Sequence, residues 1–180
     1  AYGIPEFRLP KDAVLQKEID EVTALGVEIE TDVVVGRTVL IEDLLDKEGY
    51  DAVVLAVGAS PVTPRSIKGT DKPHVAWGPD GEMGKIEIGE RVAVIGAGAI
   101  GVEAALDMLR QGRQVTIVEM ADQETAFATL HKADAAGAGE ILKALTDEGA
   151  QFKYNTQLLE IKDKSIVCRD VTTGGTEELP

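Results

Sequence analysis

Three glycines and one acid are the residues of this chain whose types and spacing could do chemistry. The run Val92-Ala-Val-Ile95 leads into Gly96-Ala97-Gly98-Ala99-Ile100-Gly101, and Glu119 follows 23 positions after Gly96 (119 − 96). A Gly-x-Gly-x-x-Gly pattern alone is a weak signal, and its plainest alternative is ordinary turn chemistry. Here an apolar strand-like run precedes it, a helix-like segment follows, and a second strand-like run ends at the acid, which is the context a dinucleotide fingerprint requires. Gly96 would make the tight turn, Gly98 would let the backbone approach a diphosphate, and Gly101 would let helix and strand pack closely. The diphosphate would sit over the helix N-terminus, where unpaired N–H groups and the helix dipole favour negative charge. A carboxylate at the end of the second strand accepts hydrogen bonds from ribose hydroxyls and repels a 2′-phosphate. The next residues, Met120, Ala121 and Asp122, supply no cation to reverse that preference. The expected ligand is therefore NAD(H) rather than NADP(H). Such a unit can also hold FAD or S-adenosylmethionine, so the motif does not name the reaction.

Hydrophobic periodicity supplies the elements that must position these residues. A strand is expected at Arg91–Ile95, a helix at 99–111 stopped by Gly112, and a second strand at 114–119. A further helix falls between 133 and 148, with Ile141, Leu142 and Leu145 on one face and Gly149 as its stop, followed by a third strand at 151–155. Residues 158–161 and 165–169 alternate like a hairpin turning at Lys162-Asp163-Lys164. Earlier in the chain, Pro10 opens a helix carrying Val14, Leu15, Ile19, Val22 and Leu25, with Gly26 as its stop. Short strands are expected at 27–31 and 33–35, a brief helix at 41–46, and a central strand buried on both faces at 51–56, closed by Gly58. Residues 60–80, rich in Pro, Gly and Thr, read as a linker.

Composition narrows the function classes. The 180 residues carry a formal net charge of −14, which repels phosphate backbones and argues against a nucleic-acid partner. Solubility is the plain account of that charge, and docking to a basic electron-transfer partner is the sharper one. No apolar run reaches the roughly 18 residues of a membrane span, so no membrane partner is expected. The start of the chain lacks both a signal peptide and an initiator Met, as a processed or excised chain would. Cys168 is the only cysteine, so neither an internal disulfide nor a redox Cys pair is available; it reads as a small buried residue in a strand, and the low cysteine count suits a reducing cytoplasm. His74 and His131 lack ligand-like neighbours, and no metal site is expected.

One internal repeat bears on organisation. Gly26-Val-Glu-Ile-Glu-Thr-Asp32 has the layout of Gly149-Ala-Gln-Phe-Lys-Tyr-Asn155, each after an amphipathic helix, at an offset of 123 (149 − 26 and 155 − 32). If the repeat is real, the counterpart of Gly96 falls at position −27 (96 − 123), so the first unit would lack its own phosphate loop.

Two stretches resemble known families. Tyr2-Gly-Ile-Pro-Glu-Phe-Arg-Leu-Pro-Lys11, with the helix after it and Gly26-Val-Glu-Ile, resembles the FAD domain of glutamate synthase small subunits and related NAD(P)H–flavin electron-transfer proteins. Gly49-Tyr-Asp-Ala-Val-Val-Leu-Ala56-Val-Gly58-Ala resembles the Ala-Thr-Gly strand end of two-nucleotide flavoproteins, with Val57 in place of the Thr. The segment around Gly96 to Met120 is similar to the pyridine nucleotide-disulfide oxidoreductase superfamily, and most to the nucleotide domains attached to 2,4-dienoyl-CoA and enoate reductases. Gly101-Val-Glu103 matches that superfamily's Gly-x-Glu, which implies a place for Glu103 near the nicotinamide; a helix-surface charge is the alternative.

The resemblance implies an α/β fold: a Rossmann-like parallel sheet with helices on both faces, an antiparallel β-meander, and a partial second α/β domain. Residues 1–72 would be the partial FAD-type domain with linker, and residues 73–180 the NAD(H)-binding domain. The implied reaction is hydride transfer from NADH to FAD, with electrons passing on to another domain or subunit; no catalytic side chain is assigned. FAD belongs to the intact enzyme and is not expected to be held by this chain. The cofactor contacts expected are Gly96, Ala97, Gly98, Ala99, Ile100, Gly101, Glu103, Glu119, Met120, Ala56 and Gly58. The main alternative is a non-catalytic nucleotide-binding or sensing module. A dehydrogenase with its own substrate domain ranks below both, for want of residues to build that domain.

Overall fold

The computed structural model describes residues 3–58, 62, 64, 66–82, 84–133 and 137–180. It divides into two compact units, Lys11–Pro61 on one hand and Val62–Pro180 with Ala1–Pro10 on the other.

In the Lys11–Pro61 unit a single π-helical turn, Lys11–Leu15, follows Pro10 and runs into α1 (Gln16–Ala24). The stop comes where the glycine was expected: Gly26 has φ +89° and donates to the Thr23 carbonyl at 2.9 Å. The brief second helix, α2 (Ile41–Asp46), has the bounds its sequence suggests. The three expected strands do not form. Only an isolated bridge joins Val35 to Val39, and in the run 51–56 Val54 is 89% and Leu55 63% exposed. No described residue of this unit is buried. A strand needs a neighbour for its N–H and C=O groups, and an apolar run becomes a central strand only with a layer on each face. Neither is present among the described residues of this unit.

The larger unit begins its regular structure with α3 (Gly78–Glu82), a short helix at the end of the expected linker. Then β1 (Arg91–Ile95), α4 (Ala99–Arg110) and β2 (Gln114–Val118) follow in the expected order, the last two each ending one residue earlier than expected. The crossover to the third strand is two helices rather than one, α5 (Ala128–Ala133) and α6 (Ala138–Asp147), and the strand itself, β3 (Gln151–Lys153), is shorter than expected. The three strands form one parallel sheet in the order β1-β2-β3, with Arg91 opposite Gln114 and Thr116 opposite Gln151.

Side-chain alternation on β2 separates two cores. Val115 and Ile117 pack with Val102, Ala105 and Leu106 of α4, Leu130 of α5, and Ile141 and Leu145 of α6. The helical residues recur every three or four positions, which keeps them on the stripe facing the sheet. Each wholly buried Leu or Ile contributes about 1.5–3 kcal/mol, and Leu106, Ile117, Leu130 and Leu145 are the largest such side chains. Val118 points the other way, to Leu158 and Cys168. Those two belong to an antiparallel meander of β4 (Thr156–Ile161), β5 (Ile166–Asp170) and β6 (Thr176–Leu179). Its first turn lies where expected, closed by Lys162 N–H to the Ser165 carbonyl at 2.8 Å. Cys168 is fully buried, and burial pushes its thiol pKa up.

The internal repeat is visible in the backbone. Gly26 and Gly149 have φ +89° and +91°, and Asp32 and Asn155, at the same offset of 123 (155 − 32), are the non-glycine residues with positive φ among the described ones. Both segments leave a helix identically, yet only the second, alongside β2, becomes a strand. None of the described helices is long and apolar enough to cross a membrane.

Candidate functional site

Beyond Ile95 the chain reverses at Gly96, whose φ of +99° lies in the left-handed region that side chains disfavour. Its N–H donates to the Val118 carbonyl at 2.9 Å, so the turn is tied to the end of β2. Gly98 is the N-cap of α4 and provides no capping side chain. Gly101, in the first turn of that helix, has no room for a side chain: a Cβ there would lie 2.1 Å from the carbonyl oxygen of Gly96. The helix therefore starts in direct contact with the turn, and the strand side chain of Val94 lies next nearest, 3.6 Å from that Cβ.

The amide groups of this segment divide into two sets. Val102 N–H donates to the Gly98 carbonyl at 3.0 Å and closes the first helical turn. Among the described residues, the N–H groups of Gly98, Ala99, Ile100 and Gly101 donate to nothing. Unpaired donors at a helix mouth, with no side-chain cap over them, fit a diphosphate.

Glu119 closes the arrangement. Its Oε2 accepts from the N–H of Ala97 at 2.7 Å and its Oε1 from the N–H of Ala121 at 2.8 Å. Its main chain is fixed as well, by N–H donation to the Lys153 carbonyl and by accepting from Thr156 N–H, both at 2.8 Å. The acid thus serves the turn before it serves any ligand. Each carboxylate oxygen can accept more than one hydrogen bond, so Glu119 keeps acceptor capacity beyond these two amides. Ala97 is fully buried beneath the turn, whereas Ile100 and Met120 are more than half exposed.

Three expected contacts lie outside the glycine turn and Glu119. Glu103 is half-buried and bonded to Arg8, whose Nε lies 2.9 Å from Oε1. Phe7 lies under the guanidinium of Arg110, 4.6 Å from it, so the segment before Pro10 runs along one side of α4. Ala56 and Gly58 belong to the Lys11–Pro61 unit, where both are exposed and Gly58 has φ +70°. Sequence reasoning found neither Arg8 nor the amide of Ala121; nothing local signals a pair 95 positions apart, or a second backbone donor to the acid. A separate hollow of about 360 Å3 beside β3 shares no residue with the glycine turn. Its aromatic walls satisfy one another, with Phe152 stacked on Tyr154 and Phe127 edge-on to both.

Comparison with known proteins identifies the family of the chain. The family model described as pyridine nucleotide-disulphide oxidoreductase matches residues 7–180. Cinnamate reductase of Clostridium sporogenes is 37% identical over 118 residues, covering 66% of this chain and 16% of that protein. The beta subunit of an NADPH-Fe(3+) oxidoreductase from Geobacter sulfurreducens is 29% identical over 163 residues, covering 86% of this chain and 22% of that protein. The glutamate synthase [NADPH] small chain of Escherichia coli K12 is 28% identical over 178 residues, covering 89% of this chain and 35% of that protein. The chain therefore spans between about a sixth and a third of the length of these relatives. Among solved structures, a 2-naphthoyl-CoA reductase complex superposes with a TM-score of 0.73 at 21% identity over 89% of this chain and 23% of its own, a likeness of fold.

Proposed function

We propose, from the premise that this chain belongs to the pyridine nucleotide-disulphide oxidoreductase family, that its glycine turn holds NADH for a flavin-dependent oxidoreductase. The family is one of NAD(P)H-dependent oxidoreductases. The observation that carries the specific reading is the carboxylate of Glu119 set 2.7 Å from the amide of Ala97, beside the unpaired amides of α4. The diphosphate takes those amides, and the adenosine ribose hydroxyls take the remaining lone pairs of Glu119.

The names of two relatives specify NADPH. A fixed carboxylate nevertheless opposes a 2′-phosphate, and Met120-Ala121-Asp122 adds no cation. NADH is preferred on that ground. Residues 73–180 are the NAD(H) domain and residues 11–72 part of an FAD-type domain with its linker, while Ala1–Pro10, expected with the FAD-type part, groups with the NAD(H) part instead. When bound, the reduced nicotinamide supplies a hydride, and the acceptor is the flavin, from which electrons go to another domain or subunit. The protein's own part is to hold and orient the nucleotide. No described residue of Lys11–Pro61 is buried, which does not fit a unit that encloses FAD by itself, and no step is assigned to FAD within this chain.

Titrating the purified chain with NADH should give saturable binding with Kd below about 1 mM, and several-fold weaker binding of NADPH. Absence of NADH binding in that range would reject the assignment, and tighter binding of NADPH would reject the role given to Glu119. Flavin absorbance retained through purification would show that this chain holds FAD after all.

A further inference from the structure

We propose that Arg8 is a positioning residue of the nucleotide site, cancelling the charge of Glu103 so that the mouth of α4 can accept a diphosphate. The inference rests on the nucleotide reading above and adds a residue outside the glycine motif. Glu103 is the fifth residue of α4. Helical side chains lean back toward the N-terminus, over the turn that precedes their own Cα. The carboxylate of Glu103 therefore leans toward the end of the helix whose amides are unpaired. At about 1.5 Å of rise per residue, its Cα is only about 6 Å along the axis from Ala99. An uncompensated carboxylate at that place opposes a diphosphate and subtracts from the attraction of the helix end.

Arg8 removes that opposition. Its Nε is 2.9 Å from Glu103 Oε1, and the carboxylate side is 17% exposed, so the pair is shielded from full solvent screening. The segment carrying Arg8 is held in place independently of that bond. Phe7 packs against Arg110, which also donates to Glu148 from Nε and Nη2 at 3.1 Å. Pro5 is buried and accepts from the N–H groups of Arg8 and Leu9 at 2.9 and 3.0 Å. The guanidinium is thus delivered to α4 by a folded turn.

The test uses ADP-ribose, which has the diphosphate and both riboses but no nicotinamide ring, so that any contact of Glu103 with the ring does not enter. Calorimetry at about 20 mM and at about 300 mM salt brackets the screening length. At low salt Arg8→Gln should weaken ADP-ribose binding roughly three- to tenfold, and the loss should shrink at high salt. Arg8→Lys, which keeps the charge, should stay near wild type. The double variant Arg8→Gln/Glu103→Gln should recover most of the affinity, which a merely structural role for Arg8 would not produce. Unchanged affinity in Arg8→Gln, or a double variant as weak as the single one, overturns the proposal while leaving the nucleotide site standing. Failure of the wild-type chain to bind ADP-ribose at all overturns both. Far-UV circular dichroism of each variant confirms that folded proteins are compared.

Discussion

Replacing Gly101 with Ala puts a methyl group where the backbone leaves none room. The new Cβ would lie 2.1 Å from the Gly96 carbonyl oxygen, against the 3.0 Å that real Cβ atoms keep, so helix and turn must part by about 0.9 Å (3.0 − 2.1). The turn cannot yield freely. Gly96 is bonded to Val118, Ala97 to Glu119, and Ala97 is wholly buried. Overpacking of this kind costs about 1–3 kcal/mol, or roughly 2–12 °C of Tm at about 2–4 °C per kcal/mol for a chain of this size. Moving α4 off the turn also misaims its amides, and NADH affinity should fall at least about tenfold, equivalent to about 1.4 kcal/mol. Gly139→Ala is the matched control. Gly139 is a helical residue of α6 with nothing within 4 Å of its added Cβ. The same substitution there should stabilise by about 0.4–1 kcal/mol through the unfolded chain and leave NADH binding alone. Thermal melts and calorimetry of both variants decide the matter. If Gly101→Ala melts and binds like wild type, or if both variants shift alike, the close approach at Gly96 is not what this glycine provides.

Further outcomes follow from the same geometry. Glu119→Gln replaces one acceptor oxygen with an NH2 group, so the N–H of Ala97 or Ala121 loses its partner. A buried donor left unmade costs about 1–3 kcal/mol, and the preference for NADH over NADPH should narrow; an unchanged preference in paired titrations would remove Glu119 from the ribose site. Asp170 caps the turn between β5 and β6, accepting from the Thr172 hydroxyl and from the amides of Thr173 and Thr172. Those bonds hold its pKa at about 2, below the ordinary 3.8. The stabilisation is complete above the ordinary value and is lost as pH falls through about 2. Amide shifts of Thr172 and Thr173 followed by NMR should titrate with that lower midpoint, and a midpoint at 3.8 would show the cap does not form in solution.

The sequence by itself determined the βαβ unit and the backbone of its glycine turn. The bounds of β1, those of α4 and β2 to within one residue, the turn at Gly96, the lack of room at Gly101 and the placement of Glu119 beside that turn are all local or near-local. They depend on periodicity, on glycine's missing side chain, and on strand pairing between neighbours in the chain. Helix α2 and the first meander turn were legible for the same reason. Tertiary structure decided whether an apolar run becomes a strand. Residues 26–32 and 149–155 share a layout and leave their helices with matching backbone angles, yet only the second lies beside β2, and only there does a strand appear. The run 51–56 has the composition of a central strand and stays exposed for want of neighbours among the described residues. Pairing across 95 positions, as between Arg8 and Glu103, leaves no mark on local pattern. A strand's hydrogen bonds and a side chain's counter-charge lie outside its own segment, and only the folded chain supplies them.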